Sequence, residues 1–176
     1  KIQGNARVIN YAGIIRGATQ REIKLEISGN ANNSLIRYLD DIFDGLMHGG
    51  GKYQLTKIDD QKYQNKLAKL NKAWVSLKEE IQKVRENGYE NTNIINMSED
   101  YFYLADETVT AAENYSQHCA SQLNSIEKGL IVTSTFIVCV IIRETILAIV
   151  LMKRNKELNK LAYIDLHTGL PNRSRV

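Results

Sequence analysis

The stretch from Tyr63 to Val84 reads YQNKLAKLNKAWVSLKEEIQKV, and its large apolar residues recur, after an opening step of four, at alternating steps of three and four. These positions are Tyr63, Leu67, Leu70, Trp74, Leu77, Ile81 and Val84. Such spacing places them on one face of a helix that packs at a shallow angle against its neighbours. Asp59 or Asp60 can cap the start of this helix, and Gly88 can end it.

Three further segments show helical spacing, and together they predict an all-α fold. A helix over residues 5–27 is broken by the polar stretch SGNANNS, and a second ends at the glycines 49–51. The second carries Leu35, Ile36, Leu39, Ile42, Phe43, Leu46 and Met47. The last helix begins at a capping residue, Asn96 or Ser98. The face along which it is expected to pack, its seam, consists of Phe102, Ala105, Val109, Ala112, Ser116, Cys119, Leu123, Ile126 and Leu130. We therefore predict an antiparallel up-down four-helix bundle whose last helix continues into a transmembrane helix.

The composition supports helices and excludes several other classes of protein. The 176 residues include one Pro and eleven Gly, fewer turn residues than a β-sandwich needs. Two cysteines exclude a disulfide scaffold and the multi-Cys zinc modules, and three scattered histidines make a metal site unexpected. Cys119 and Cys139 lie too far apart on one helix to pair, and Cys119 is expected to be a small core residue.

A membrane segment is predicted at residues 129–152, which read GLIVTSTFIVCVIIRETILAIVLM. At helical rise this run spans ~36 Å, enough to cross a hydrocarbon core of about 30 Å. The alternative is a buried core helix. Residues 1–128 hold 16 Lys and Arg against 17 Asp and Glu, whereas residues 153–176 hold six against two. The positive-inside rule then places residues 153–176 in the cytoplasm and residues 1–128 outside the cell (inner) membrane.

This reading gives four parts: a sensor domain at 1–128, the membrane helix at 129–152, a linker helix at 153–164 and a motif at 165–176. The formal net charge of +3 comes from the basic linker, so we expect no nucleic-acid partner. The chain opens on Lys1 and closes within a motif at Val176. We therefore expect a piece of a longer protein, with a first membrane helix before Lys1.

Arg143 and Glu144 are the two charged residues inside the membrane segment. Charges at such depth cost roughly 2.5–3.5 kcal/mol on insertion scales and usually face a partner. Adjacent positions on a helix point about 100° apart, which disfavours pairing between these two side chains. We expect them to face another membrane helix or the second subunit of a homodimer. The alternative is that Arg143 reaches towards the inner face of the membrane.

The end of the chain carries the most specific motif, DLHTGLPNR at Asp165 to Arg173. It resembles the turn that opens GGDEF domains of diguanylate cyclases, with His167 in place of the usual Leu. The matching positions are Asp165, Thr168, Gly169, Leu170, Pro171, Asn172 and Arg173.

That resemblance implies an α/β output domain that condenses two GTP into cyclic di-GMP with Mg²⁺. The family's metal-binding carboxylates and glycine-rich signature would lie beyond Val176, so no catalytic residue and no cofactor site is expected in residues 1–176. An inactive domain, or an additional phosphodiesterase domain, stays open.

The first helix carries a second resemblance, in the segment NYAGIIRGATQREIK at residues 10–24. It is similar to the first-helix box of the sensor domains of nitrate/nitrite sensor kinases and type IV pili methyl-accepting receptors. The matching positions are Asn10, Ala12, Gly13, Arg16, Gln20 and Arg21, and the departures are Gly17 and Thr19. The likeness continues loosely through most of residues 1–128 and implies a dimer with an anion site.

Arg16 is the candidate ligand-binding residue, together with Gln20 and Thr19. It falls on a seam formed by Ile9, Ala12, Arg16, Thr19 and Ile23. A buried arginine needs a partner, and its planar donor fork suits nitrate, a carboxylate or a similar small anion. Gln20 lies one turn on and can reach the same pocket. The alternatives are a salt bridge to an acid of another helix or an arginine that reaches solvent.

Three functions compete. The first is a ligand-sensing input module of a transmembrane protein that controls cyclic di-GMP synthesis. The second is the input domain of a chemoreceptor or histidine kinase, which the short distance between Met152 and Asp165 disfavours. The third is a structural membrane-anchored bundle, which leaves the DLHTGLPNR motif without a role. A GG[DE]EF string beyond Val176 would favour the first.

Overall fold

The computed structural model describes residues 2–163, with side chains described from residue 3 to residue 160. Its elements are α1 (Ile2–Ile27), α2 (Asn33–His48), α3 (Gln61–Asn87), a short 3-10 turn (Tyr89–Asn91) and α4 (Ile94–Tyr163). Within residues 2–163 there is no β-strand, which confirms the all-α prediction. The motif at Asp165 to Arg173 lies outside the described residues.

The helix ends follow local capping chemistry. The Asn32 side chain accepts the Leu35 N–H at the start of α2, and the Asp60 carboxylate accepts the Tyr63 N–H at 2.8 Å at the start of α3. Gly88 ends α3 with φ 75°, a conformation that glycine adopts without a Cβ clash. The predictions of an aspartate cap and a closing glycine for this helix are confirmed.

The prediction for the start of α4 is wrong. The helix begins at Ile94, so Asn96 and Ser98 lie within it. The Asn93 N–H donates to Glu80 Oε1 of α3 at 2.7 Å, and Ser98 Oγ donates back to the Ile95 carbonyl. An acid from a neighbouring helix therefore satisfies the backbone at this end, which a search for a local capping residue cannot detect.

One hydrophobic core is shared by all four helices. All seven positions of the periodic pattern in α3 are buried: Tyr63, Leu67, Leu70, Trp74, Leu77, Ile81 and Val84. Trp74 occupies its centre, with its ring centroid 6.3 Å from that of Phe43 of α2 and 6.2 Å from that of Tyr101 of α4. The Trp74 indole N–H donates to Asp40 at 2.7 Å, so its polar atom is also satisfied.

The connection between α2 and α3 takes part in this core. Gly50 and Leu55 form an isolated antiparallel bridge, with hydrogen bonds of 2.7 and 2.9 Å. Gly49 ends α2 with φ 80°, as the run of three glycines predicted. Leu55 and Ile58 are buried, so this connection covers one end of the core; their contribution was not predicted.

The chain divides into two compact units, Lys1–Gln122 and Leu123–Val176. In the first unit, burial along α4 stops at Ala112, and Ser116 and Cys119 are only half-buried. The predicted core role of Cys119 is therefore wrong. The predicted seam beyond it, at Leu123, Ile126 and Leu130, is exposed.

Residues 120–160 of α4 are all exposed. Among the described residues, this is the one helix that is long and apolar enough to cross a membrane. Since none of its most apolar window is buried within the molecule, these residues do not form the core helix that was the alternative.

Candidate ligand site at the contact between α1 and α4

The three candidate residues lie on adjacent turns of α1, and each contacts α4. Arg16 pairs with Asp106, Thr19 with Tyr101, and Gln20 with the backbone of Ser98. Their partners on α4 follow in the reverse order of the sequence. The structure therefore brings the three residues together along one contact between two helices.

Arg16 is only partly buried, with 37% of its side chain exposed. Its guanidinium donates to Asp106, and its central carbon lies 5.7 Å from the centroid of the Phe102 ring. The expectation of a buried arginine is thus wrong. Gly13 and Gly17 flank Arg16, and a Cβ at either position would meet no atom within 4 Å. This side of α1 therefore leaves the arginine accessible.

Thr19 and Gln20 differ in what they offer a ligand. Thr19 is fully buried, and its hydroxyl donates to the Tyr101 oxygen at 3.4 Å. Gln20 is half-buried and donates through Nε2 to the Ser98 carbonyl at 3.0 Å, which leaves its own carbonyl oxygen without a bond among the described contacts. Arg21 is exposed, as predicted.

Asp106 is the site residue that sequence reasoning missed. It lies one turn beyond Phe102, which the seam did include, but nothing in the sequence selects it from the 17 acids of residues 1–128 as the partner of Arg16. Asp106 also lines an open cleft of about 260 Å³ together with Lys62, Lys66 and Thr110. Lys66 is paired with Glu107 at 2.5 Å.

A second polar cluster joins α1 to α3 two turns further along α1, and it was not predicted. Glu26 is buried, and its carboxylate accepts hydrogen bonds from two nitrogens of Arg85, with Nε 2.9 Å from Oε2. Arg85 Nη1 also donates to the Asn33 side chain of α2 at 2.9 Å. Glu22, one turn earlier, is fully buried, and neither of its carboxyl oxygens has a hydrogen-bond partner of normal geometry.

The surroundings shift the pKa values of the two carboxyl groups of this cluster in opposite directions. Burial, the bond to Glu26 and the charge of Glu26 raise the pKa of Glu22 to about 7. Burial also acts on Glu26, but the hydrogen bonds from Arg85 and Glu22 outweigh it and lower the pKa of Glu26. A single cation between two buried acids therefore stabilises one negative charge but not two.

Arg143 and Glu144, in the second unit, contact each other, with Arg143 Nη1 at 3.3 Å from Glu144 Oε1. Helix geometry disfavoured this pairing, but both side chains are long enough to bend toward each other. Both are largely exposed.

No group of three or more His, Cys, Asp or Glu side chains that could hold a metal ion occurs in the part of the chain that the structure describes. Comparisons with protein-family models, with curated proteins and with solved structures found no match to this chain.

Proposed function

We propose that this chain is the ligand-sensing input module of a transmembrane signalling protein. The observation that carries the proposal is the position of the three candidate residues, which all contact α4. The same helix, Ile94–Tyr163, contains the segment that is apolar enough to cross a membrane. A ligand bound at Arg16 would therefore act directly on the helix proposed to cross the membrane.

In this proposal the four helices form an antiparallel up-down bundle outside the cell membrane, and α4 continues through the membrane to a cytoplasmic C-terminal part. Four amphipathic helices around one core support the bundle. The basic residues that follow Met152 support a cytoplasmic location for the end of the chain. The DLHTGLPNR motif supports a GGDEF output domain, and hence control of cyclic di-GMP synthesis using GTP and Mg²⁺.

The ligand is a small planar anion that competes with Asp106 for Arg16. Guanidinium binds carboxylates and other planar oxyanions through the same fork of N–H donors. An exposed ion pair such as Arg16 with Asp106 contributes about 0–1 kcal/mol, so a ligand can replace it at little cost. Release of Asp106 removes one ion pair between α1 and α4.

Such a release can signal only if the ligand binds one arrangement of the helices better than the other. A homodimer in which two copies of α4 shift or rotate against each other would transmit this difference to paired output domains. The open space at Gly13 and Gly17 leaves room for either an anion or a second copy of α1 beside Arg16.

The test is a thermal-shift screen of nitrate, nitrite, acetate and formate on the whole chain in detergent micelles. Trp74 is the single tryptophan and is buried, so its fluorescence reports on unfolding of the first unit. A ligand at ten times its Kd adds about 1.4 kcal/mol, which raises the Tm of a domain of this size by roughly 3–6 °C. Chloride at equal ionic strength supplies the baseline, because salt alone screens surface charges.

Two variants distinguish the site from general binding of anions. Arg16→Ala should abolish the shift, whereas Arg21→Ala, which removes an exposed arginine from the same helix, should retain it. A panel that leaves the wild-type Tm unchanged, or that shifts wild type and Arg16→Ala equally, would show that Arg16 is only a structural ion-pair residue.

A further inference from the structure

We propose that Glu22 and Glu26, buried together against Arg85, form a proton-operated switch that holds α1 to α3 while the two carboxyl groups share one proton and loosens that contact when the proton leaves. The switch requires no ligand and is independent of the site at Arg16.

One cation, Arg85, lies beside two buried acids. Glu22 is fully buried and Glu26 is 4% exposed, and both lie on the inner side of the last turns of α1. Arg85 of α3 binds Glu26 through two of its nitrogens. Because its bonds go to Glu26 and to Asn33, Arg85 donates no hydrogen bond to Glu22.

The other elements around Glu22 bring no second cation among the described contacts. From α2 and its cap come the backbone of Asn32 and the side chain of Asn33, both uncharged. From α4 come the Tyr101 hydroxyl and the Ser98 carbonyl, which meet α1 at Thr19 and Gln20, and burial raises the pKa of Tyr101 so that it stays neutral.

The buried acid of α3, Glu80, has partners of its own. Glu80 accepts from Lys83 at 2.9 Å and from the Asn93 N–H at 2.7 Å. Arg85 is thus the single charge that opposes the Glu22–Glu26 pair in the described contacts.

The protonated Glu22 is compatible with this site because a neutral carboxyl group can donate a hydrogen bond to the Glu26 carboxylate. Loss of that proton leaves a second negative charge in a buried position without a cation of its own, which is costly. The strain can be relieved if the last turns of α1 move away from α3 and admit water. Burial and Glu26 raise the pKa of Glu22 to about 7, so this change falls near neutral pH.

Linkage between proton binding and folding sets the direction in which stability changes with pH. An acid whose pKa is higher in the folded than in the unfolded chain leaves stability intact below its unfolded pKa, and stability falls as the pH rises through the folded value. For Glu22 the loss therefore lies between about pH 5 and about pH 8. Glu26 has a lowered pKa and acts in the opposite sense only at more acidic pH.

The test compares the Tm of the whole chain in micelles, followed by Trp74 fluorescence, from about pH 5.5 to about pH 8.5. Glu22→Gln mimics the protonated acid at every pH. We expect its Tm to exceed that of wild type by a margin that widens from the acidic to the alkaline end of this range. Glu86→Gln removes an exposed acid from α3 and should follow wild type throughout. The readout is the difference between the profiles, which removes pH effects that are common to both proteins.

A second measurement does not depend on how well the variant folds. Carbon-13 NMR of the glutamate carboxyl groups in wild type should show one group that titrates near 7. Equal profiles for wild type and Glu22→Gln, or glutamates that all titrate below about pH 5.5, would overturn the proposal.

Discussion

Arg16 and Arg85 each form an ion pair that joins α1 to another helix, but the surroundings of the two pairs differ. The side chains of Arg16 and Asp106 are 37% and 53% exposed, whereas the side chains of Arg85 and Glu26 are 22% and 1% exposed. An exposed ion pair is weak, while removing one partner of a buried pair leaves an uncompensated charge. The first pair is thus suited to exchange with a ligand, and the second to stability.

This contrast gives a prediction for stability. Arg85→Ala should cost about 3 kcal/mol or more near pH 8, because it leaves Glu26 buried without a cation. Arg16→Ala should cost no more than about 1 kcal/mol. Urea unfolding followed by Trp74 fluorescence measures both. Equal losses for the two variants would contradict the assignment of these roles.

At the residue scale, the sequence predicted which side chains form the core of α3 but not which polar groups meet across helices. The apolar spacing from Tyr63 to Val84 depends only on helical periodicity, so it could be recognised without a structure. The pairing of Arg16 with Asp106, and of Arg85 with Glu26, depends on how two distant segments align, and each arginine had many candidate acids.

At the scale of elements, the glycines that end helices have different roles from those within them. Gly88 has φ 75° and ψ 153°, a region that is nearly closed to other residues. Gly129 lies within α4, and an added Cβ there would meet nothing within 4 Å. The same substitution should therefore have different effects at these two positions.

We expect Gly88→Ala to destabilise the first unit by about 1–2 kcal/mol, because alanine must adopt a strained backbone conformation there. The drop should appear in the Tm measured by Trp74 fluorescence. Gly129→Ala, the matched control, should leave that Tm unchanged, since alanine favours a helix interior. An unchanged Tm for Gly88→Ala would mean that α3 can end without a glycine.

The helix ends that local chemistry determines were predictable, and those set by tertiary contacts were not. Asp60 and Gly88 act on their own helix, so the sequence alone indicated both. The start of α4 depends on Glu80 of another helix, and the buried Leu55 and Ile58 depend on how the connection after α2 folds back on the core. Spacing alone also extended the α4 seam beyond Ala112, because periodicity does not show where neighbouring helices end.

At the scale of the whole molecule, α4 belongs to both compact units. Its earlier part contributes Tyr101 and Ala105 to the core, and its later part presents an exposed apolar surface. Exposed apolar surface of that extent is unfavourable in water and favourable in a bilayer. The sequence predicted this division from composition, since a long apolar run needs no tertiary information to be recognised.

Cysteine accessibility in cells that express the complete gene product shows on which side of the membrane each end of the molecule lies. Cys119 and Cys139 are first replaced by serine, and single cysteines are then placed at the exposed positions Ser76 and Asn155. A membrane-impermeant maleimide should label position 76 in intact cells and position 155 only after permeabilisation. Labelling of position 155 in intact cells, or of position 76 only after permeabilisation, would contradict an input module outside the membrane with its C-terminal end in the cytoplasm.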